Sequence, residues 1–133
     1  MKAKLFGVLA GCAMAAMPML AHHSFSAEYD RSKSVTLKGT VTKVEWMNPP
    51  ARFYVDVKDD KGATTNWEFE LGSPNGLMRS GWTRNSLKQG DTVTVAGSLA
   101  KDGSHLANAQ SVTMENGKKV LSGVSSADDP NTK

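Results

Sequence analysis

With 133 residues, 39% of them hydrophobic and 22% charged, the chain has room for one domain and a tail. The 16 basic against 13 acidic residues give a net charge of +3, which falls to +1 (14 − 13) without the two lysines of the first 21 residues; that near-neutral balance and an exported address argue against a nucleic-acid partner. A single cysteine, Cys12, excludes an intrachain disulfide and a thiolate metal cluster.

Lys2 and Lys4 precede an apolar run from Leu5 to Leu20 that ends on Ala21, the pattern of a secretory signal peptide over 1–21. Gly7, Gly11 and Pro18 interrupt the run, so it lacks the roughly 20 unbroken apolar residues of a transmembrane anchor. Three cleavage points compete. Ala21 offers a small residue at the cut but has Met19 two before it. Ala13-Met14-Ala15 fits the small-x-small rule better and leaves a shorter apolar stretch. Leu9-Ala10-Gly11-Cys12 reads as a lipoprotein box behind a short apolar run. Cleavage after Ala21 would remove two basic residues and no acid, so the mature chain is closer to neutral than the isoelectric point of 9.1 implies.

Residues 22–33 lack a clear period and are expected to lie extended along the domain, with Phe25 and Tyr29 as anchors. The first strand starts at Ser34. Val35, Leu37, Gly39 and Val41 share one face, and then parity slips, because Val44 and Trp46 are even-numbered. An extra residue near Thr42-Lys43 would return both sets to one inward face, and Gly39 removes the side chain where the strand must bend. Asn48-Pro49-Pro50 stops the strand.

Arg52 to Lys58 alternates Phe53, Val55 and Val57 inward against Arg52, Tyr54, Asp56 and Lys58 outward. Asp59-Asp60-Lys61-Gly62 turns the chain into Thr64 to Leu71. There Trp67, Phe69 and Leu71 face inward, and Glu68 and Glu70 face outward to pair with the basic positions of the neighbouring strand. Ser73-Pro74 caps and starts a short helix carrying Leu77 and Met78 towards Gly81-Trp82. Thr83 is expected to cap one further turn that buries Leu87. Strands follow at Thr92 to Leu99 and Leu106 to Met114, and Asn116-Gly117 predicts a hairpin to a short sixth strand, Lys119 to Leu121. From Ser122 the chain is small and polar, which predicts a disordered tail over 122–133.

Strand, strand, strand, helix, strand, strand with a bent first strand is an all-β pattern. It predicts a small OB-like Greek-key barrel of five to six strands over 34–121, the helix lying between the third and fourth.

His22 and His23 would head the mature chain, where the free amine and two imidazoles suit copper. Solvated histidines at a chain end are the simpler reading, since a specific metal site needs more ligands and a supporting shell. Asn48, Arg52, Tyr54 and Arg79 are the candidate ligand contacts, Arg52 and Tyr54 because their parity is outward on the strands OB barrels use for binding. The tryptophans Trp46 and Trp67 share parity with the core, and Trp82 is expected to cover the helix end. No nucleophile–base arrangement, HExxH or phosphate loop can be named, so no catalytic residue is assigned.

Ala21-His-His-Ser-Phe25, Glu28-Tyr29-Asp30, Val44-Glu-Trp-Met-Asn-Pro49, Trp67-Glu-Phe-Glu-Leu-Gly-Ser-Pro-Asn75 and Ala107-Asn-Ala109 together resemble a family of small exported Gram-negative bacterial proteins known as a domain of unknown function. The likeness runs from His22 to about Val120. It implies cleavage before His22 and a soluble periplasmic product, and it assigns no activity. Members of that family often carry a histidine after Asn-Pro where this chain has Pro50, which weakens the copper reading here. The expectation is an exported binding or accessory module, not an enzyme, with a small ligand, an envelope protein or an envelope glycan as its partner.

Overall fold

The computed structural model describes residues 25–47 and 50–122. A one-turn helix α1 (Phe25–Glu28) leads directly into β1 (Tyr29–Glu45). Then come β2 (Arg52–Lys58), β3 (Thr64–Glu70), helix α2 (Pro74–Arg79), β4 (Thr92–Ala100), β5 (Leu106–Met114) and β6 (Lys119–Ser122). The signal-peptide region, His22, His23, Asn48 and the chain beyond Ser122 lie outside the described residues. Ser122 itself is not tail: it pairs with Ser111.

The strand order is β3-β2-β1-β4-β5-β6, with β3 also pairing to β5. That last contact is parallel and spans three residue pairs, Glu68 to Glu70 against Leu106 to Asn108, and it closes β1-β2-β3-β5-β4 into an OB-type barrel. Every other pairing is antiparallel. β6 adds to β5 beyond the closure, so the barrel is unevenly sealed.

β1 serves two neighbours at once, pairing with β4 up to Thr40 and with β2 from Thr40 on. The parity slip is resolved as expected. Val41 faces Val55 and Lys43 faces Tyr54, leaving Thr42 as the extra residue of a bulge, so Val41 is buried and Val44 and Trp46 pack against the same core. At Gly39 an added Cβ would lie 2.1 Å from the Asp56 carbonyl oxygen, so only glycine lets β2 cross this closely. A second bulge makes Gln110 the extra residue of β5, opposite Ala96 and Gly97 of β4. The large apolar residues of β5, Leu106, Val112 and Met114, keep one parity and so give no sign of it. There an added Cβ on Gly97 would lie 2.2 Å from the Asn108 carbonyl oxygen.

The core includes Val41, Phe53, Val55, Phe69, Val93, Val95, Ala107, Ala109 and Val112, with Phe53 and Phe69 stacked at 5.2 Å. Trp67 faces inward as expected and packs half-buried against the core, its ring 6.4 Å from Phe69 and 5.0 Å from His105. α2 plugs one end. The Ser73 hydroxyl accepts from the Gly76 N–H, Pro74 opens the helix, and Leu77 is fully buried. Gly81, at φ 91°, turns the chain so that the Trp82 N–H returns to the Leu77 carbonyl and its ring is buried. Thr83 caps one further turn as expected: its hydroxyl accepts from the Asn85 N–H and its carbonyl from the Ser86 N–H. Leu87 is buried. Among the described residues no helix is long and apolar enough to cross a membrane.

Gly39→Ala and Gly97→Ala should each lower unfolding free energy by about 3 kcal/mol or more, because the added methyl meets backbone that cannot yield. Thr36→Ala, on the exposed side of β1, should cost less than about 0.5 kcal/mol. Urea unfolding of the three variants checks this, and a near-neutral glycine variant would contradict the close crossing.

Candidate functional site on the outer barrel wall

Register places six residues in a row around the outside of the barrel, one each from β2, β3, β4 and β5 and two from β1. Glu45 faces Arg52, Arg52 faces Glu70, Glu70 faces Asn108, Asn108 faces Ser98, and Ser98 faces Ser34. All have the parity opposite to the core, so a polar row is what alternation requires. Alternation does not foretell that its centre is covered. Glu70 is 7% exposed, Ser98 1% and Asn108 0%.

Over Glu70 the cover is the N-terminal segment. It lies along the barrel as expected, but as a helical turn and a strand that begins at Tyr29, five residues before the predicted start at Ser34. Tyr29 is buried, its ring 5.4 Å from that of Phe25, and its hydroxyl donates to Glu70 Oε2 at 2.6 Å. Arg52 ion-pairs with Glu68 and reaches Glu70 Oε2 at 3.8 Å, which realises the predicted acid–base pairing across β2 and β3. The prediction that Glu70 is a surface acid is corrected: its face is outward, and Tyr29 and α1 lie over it.

These surroundings set the ionisation. Burial raises the Glu70 carboxyl above the usual range; the Tyr29 hydrogen bond opposes this, Glu28 adds to it, Arg52 opposes it and Glu68 adds to it. Burial, then the hydrogen bond to Glu70, raises the Tyr29 phenol, which therefore stays protonated at any physiological pH. Neither amide atom of Asn108 has a hydrogen-bond partner among the described residues.

Beside the covered row is a half-exposed one, in which Lys43 faces Tyr54 and Tyr54 faces Glu68. The Tyr54 hydroxyl lies 3.4 Å from both Glu45 Oε2 and Glu68 Oε1, and burial together with those two acids raises its phenol. Lys43 binds Glu45 at 2.6 Å and sits 5.6 Å from the Tyr54 ring centre. The hydrogen bond from Lys43 holds the Glu45 carboxyl below its ordinary value.

Of the sequence-predicted contacts, Arg52 and Tyr54 meet here through Glu68. Arg79 ends α2, exposed, and joins none of these bonds. Asn48, His22 and His23 lie outside the described residues. His105 packs on Trp67, and among the described residues no three His, Cys, Asp or Glu side chains gather as a metal site. Tyr29, Glu70 and Asn108 were missed as site residues. The available signal was Ala107-Asn-Ala109, a strand triplet of small residues that alternation alone cannot assign to one buried face. An open depression of about 480 Å³ bounded by Gly90, Asp91, Thr92, Met114, Glu115 and Asn116 shares no residue with either row.

Tyr29→Phe should cost about 1.5–3 kcal/mol, since it strips a donor from a buried acid. Tyr54→Phe should cost less than about 0.5 kcal/mol, its contacts being long and half-exposed. Urea unfolding separates the two roles.

Comparison with curated proteins gives no match. Two solved structures of TiaS are similar at low level. One, a complex with tRNA and ATP, is 21% identical with a TM-score of 0.43 over 65% of this chain and 19% of that one. The other, the ZRD-deleted mutant with agmatine, is 20% identical with a TM-score of 0.44 over 74% and 28%. The chain thus spans less than a third of either. The model of a family of unknown function, DUF6152, matches residues 9–121, and the chain belongs to that family.

Proposed function

We propose that the chain is an exported periplasmic binding module, not an enzyme, and that it docks a cell-envelope protein on the outer face of β1, β2 and β3 around Tyr54. The carrying observation is the half-exposed cluster of Tyr54, Arg52, Lys43, Glu45 and Glu68 on that face. OB barrels often bind through the face of their second and third strands, and tyrosine and arginine are, with tryptophan, the side chains enriched where protein contacts carry most energy. Alternating charges suit a protein surface of mixed sign better than a uniformly charged polymer. Lys43 beside the Tyr54 ring encumbers the flat stacking that an envelope glycan would use. The two buried groups whose ionisation is displaced, Tyr29 and Glu70, lie beneath covering chain rather than in a cleft, which favours binding over catalysis. Lys2, Lys4 and the apolar run to Ala21 support export.

A photoreactive residue placed at position 54 in cells should give one discrete protein adduct, and one placed at Lys38 should give none. The chain should be released by osmotic shock. No adduct at position 54, the same adduct from both positions, or retention in the cytoplasm would contradict the reading.

A further inference from the structure

Residues 25–33 cross the outer wall as a strap, with the Arg31 guanidinium 4.7 Å from the Phe25 ring centre within it. The Glu28 carbonyl accepts from the Lys101 N–H at 2.9 Å, and Tyr29 and Asp30 pair with Ala100 and Leu99. The ladder to β4 then breaks and resumes only at Ser34, leaving Arg31, Ser32 and Lys33 exposed between the two paired stretches. Ser32 bonds back to the Asp30 carboxylate through its N–H and hydroxyl, so this break is a local turn rather than a loose gap. A further hold is the Tyr29 hydroxyl on Glu70, with the Phe25–Tyr29 contact above it.

We propose that this strap is a pH-dependent cover, seated while Glu70 carries a proton and loosened when that proton leaves. Opening would uncover Glu70 beside the half-exposed Arg52, which continues the row of the proposed binding face; only this consequence rests on the reading above. The groups facing Glu70 are Glu28 from α1, Tyr29 from β1, Arg52 from β2 and Glu68 from its own strand. Asn108, its register neighbour on β5, is uncharged. When ionised, Glu70 is shielded from water between two like charges, and the Arg52 cation is 3.8 Å away and bound more closely to Glu68. When neutral, it keeps its acceptor role to Tyr29 and has a proton to donate, with the unengaged amide oxygen of Asn108 on the adjoining strand.

The sign follows from the raised carboxyl. The seated acid keeps its proton to higher pH than the freed one. The seating contribution is therefore complete below the ordinary carboxylate range and is lost as pH rises through the seated value.

Amide hydrogen exchange of the Lys101 N–H, corrected for intrinsic rate, reads strap opening directly. Its protection should fall several-fold from about pH 4 to about pH 8. In Glu70→Gln, whose amide oxygen still accepts from Tyr29 but does not titrate, protection should be flat across that range. A flat profile in the parent protein, or the parent's slope in Glu70→Gln, overturns the proposal. If Glu70→Gln does not fold, Tyr29→Phe decides. In Tyr29→Phe, which removes the hydroxyl's hold and lets water reach Glu70, the pH-dependent part of the Lys101 N–H protection should shrink several-fold, and the parent's slope in that variant overturns the proposal. Because exchange reads the strap alone, failure of the crosslink from position 54 would leave this result standing, and the converse holds too.

Discussion

A carboxylate buried on the outside of a barrel is the constraint around which the outer wall is arranged. Removing an ionised acid from water costs several kcal/mol unless partners offset it. Glu70 is nearly covered, and three strands and a helix turn contribute to its surroundings. The Tyr29 phenol supplies the short hydrogen bond, Arg52 supplies a distant and shared positive charge, and Asn108 supplies an unengaged amide one strand away. Ala107 and Ala109 on either side of Asn108 are core residues, so this strand is buried on both faces where it closes the barrel. Glu28-Tyr29-Asp30, Trp67 to Asn75 and Ala107-Asn-Ala109, far apart in sequence, contribute the three residues that meet there.

The same wall depends on how β1 is built. One strand reaches from the strap, through its pairing with β4, past the Gly39 crossing and the Thr42 bulge, to its pairing with β2. The bulge turns Lys43 and Glu45 onto the outer face beside Tyr54, and it also returns Val44 to the core. A straight strand of this composition would bury one set and expose the other. Core closure and the polar face are thus two results of one extra residue.

Much of this was legible in the chain. The parity slip at Val41–Val44 located the bulge, Gly39 marked the bend, Ser73-Pro74 marked the helix, and alternation bounded β2 and β5 to the residue. What alternation cannot supply is the identity of whatever lies over an outward side chain. It put Glu70 on the outer face correctly and left it exposed wrongly, because Tyr29 comes from a segment without a period, 41 residues away. The bulge at Gln110 was missed because only alanines mark the change of parity in β5, and the close backbone approach of Gly97 to Asn108 leaves no side-chain pattern. Of the binding candidates, Arg52 and Tyr54 were found from parity; Arg79, chosen by charge on a helix end, stands apart from them.

The central claim is that the Tyr29–Glu70 contact fastens the N-terminal segment to the barrel and so decides what the outer wall presents. A double-mutant cycle on Tyr29→Phe and Glu70→Leu, read by urea unfolding, addresses that contact without reference to any ligand. A favourable coupling of about 1–3 kcal/mol is expected between the two positions. Additive effects, with a coupling near zero, would contradict it.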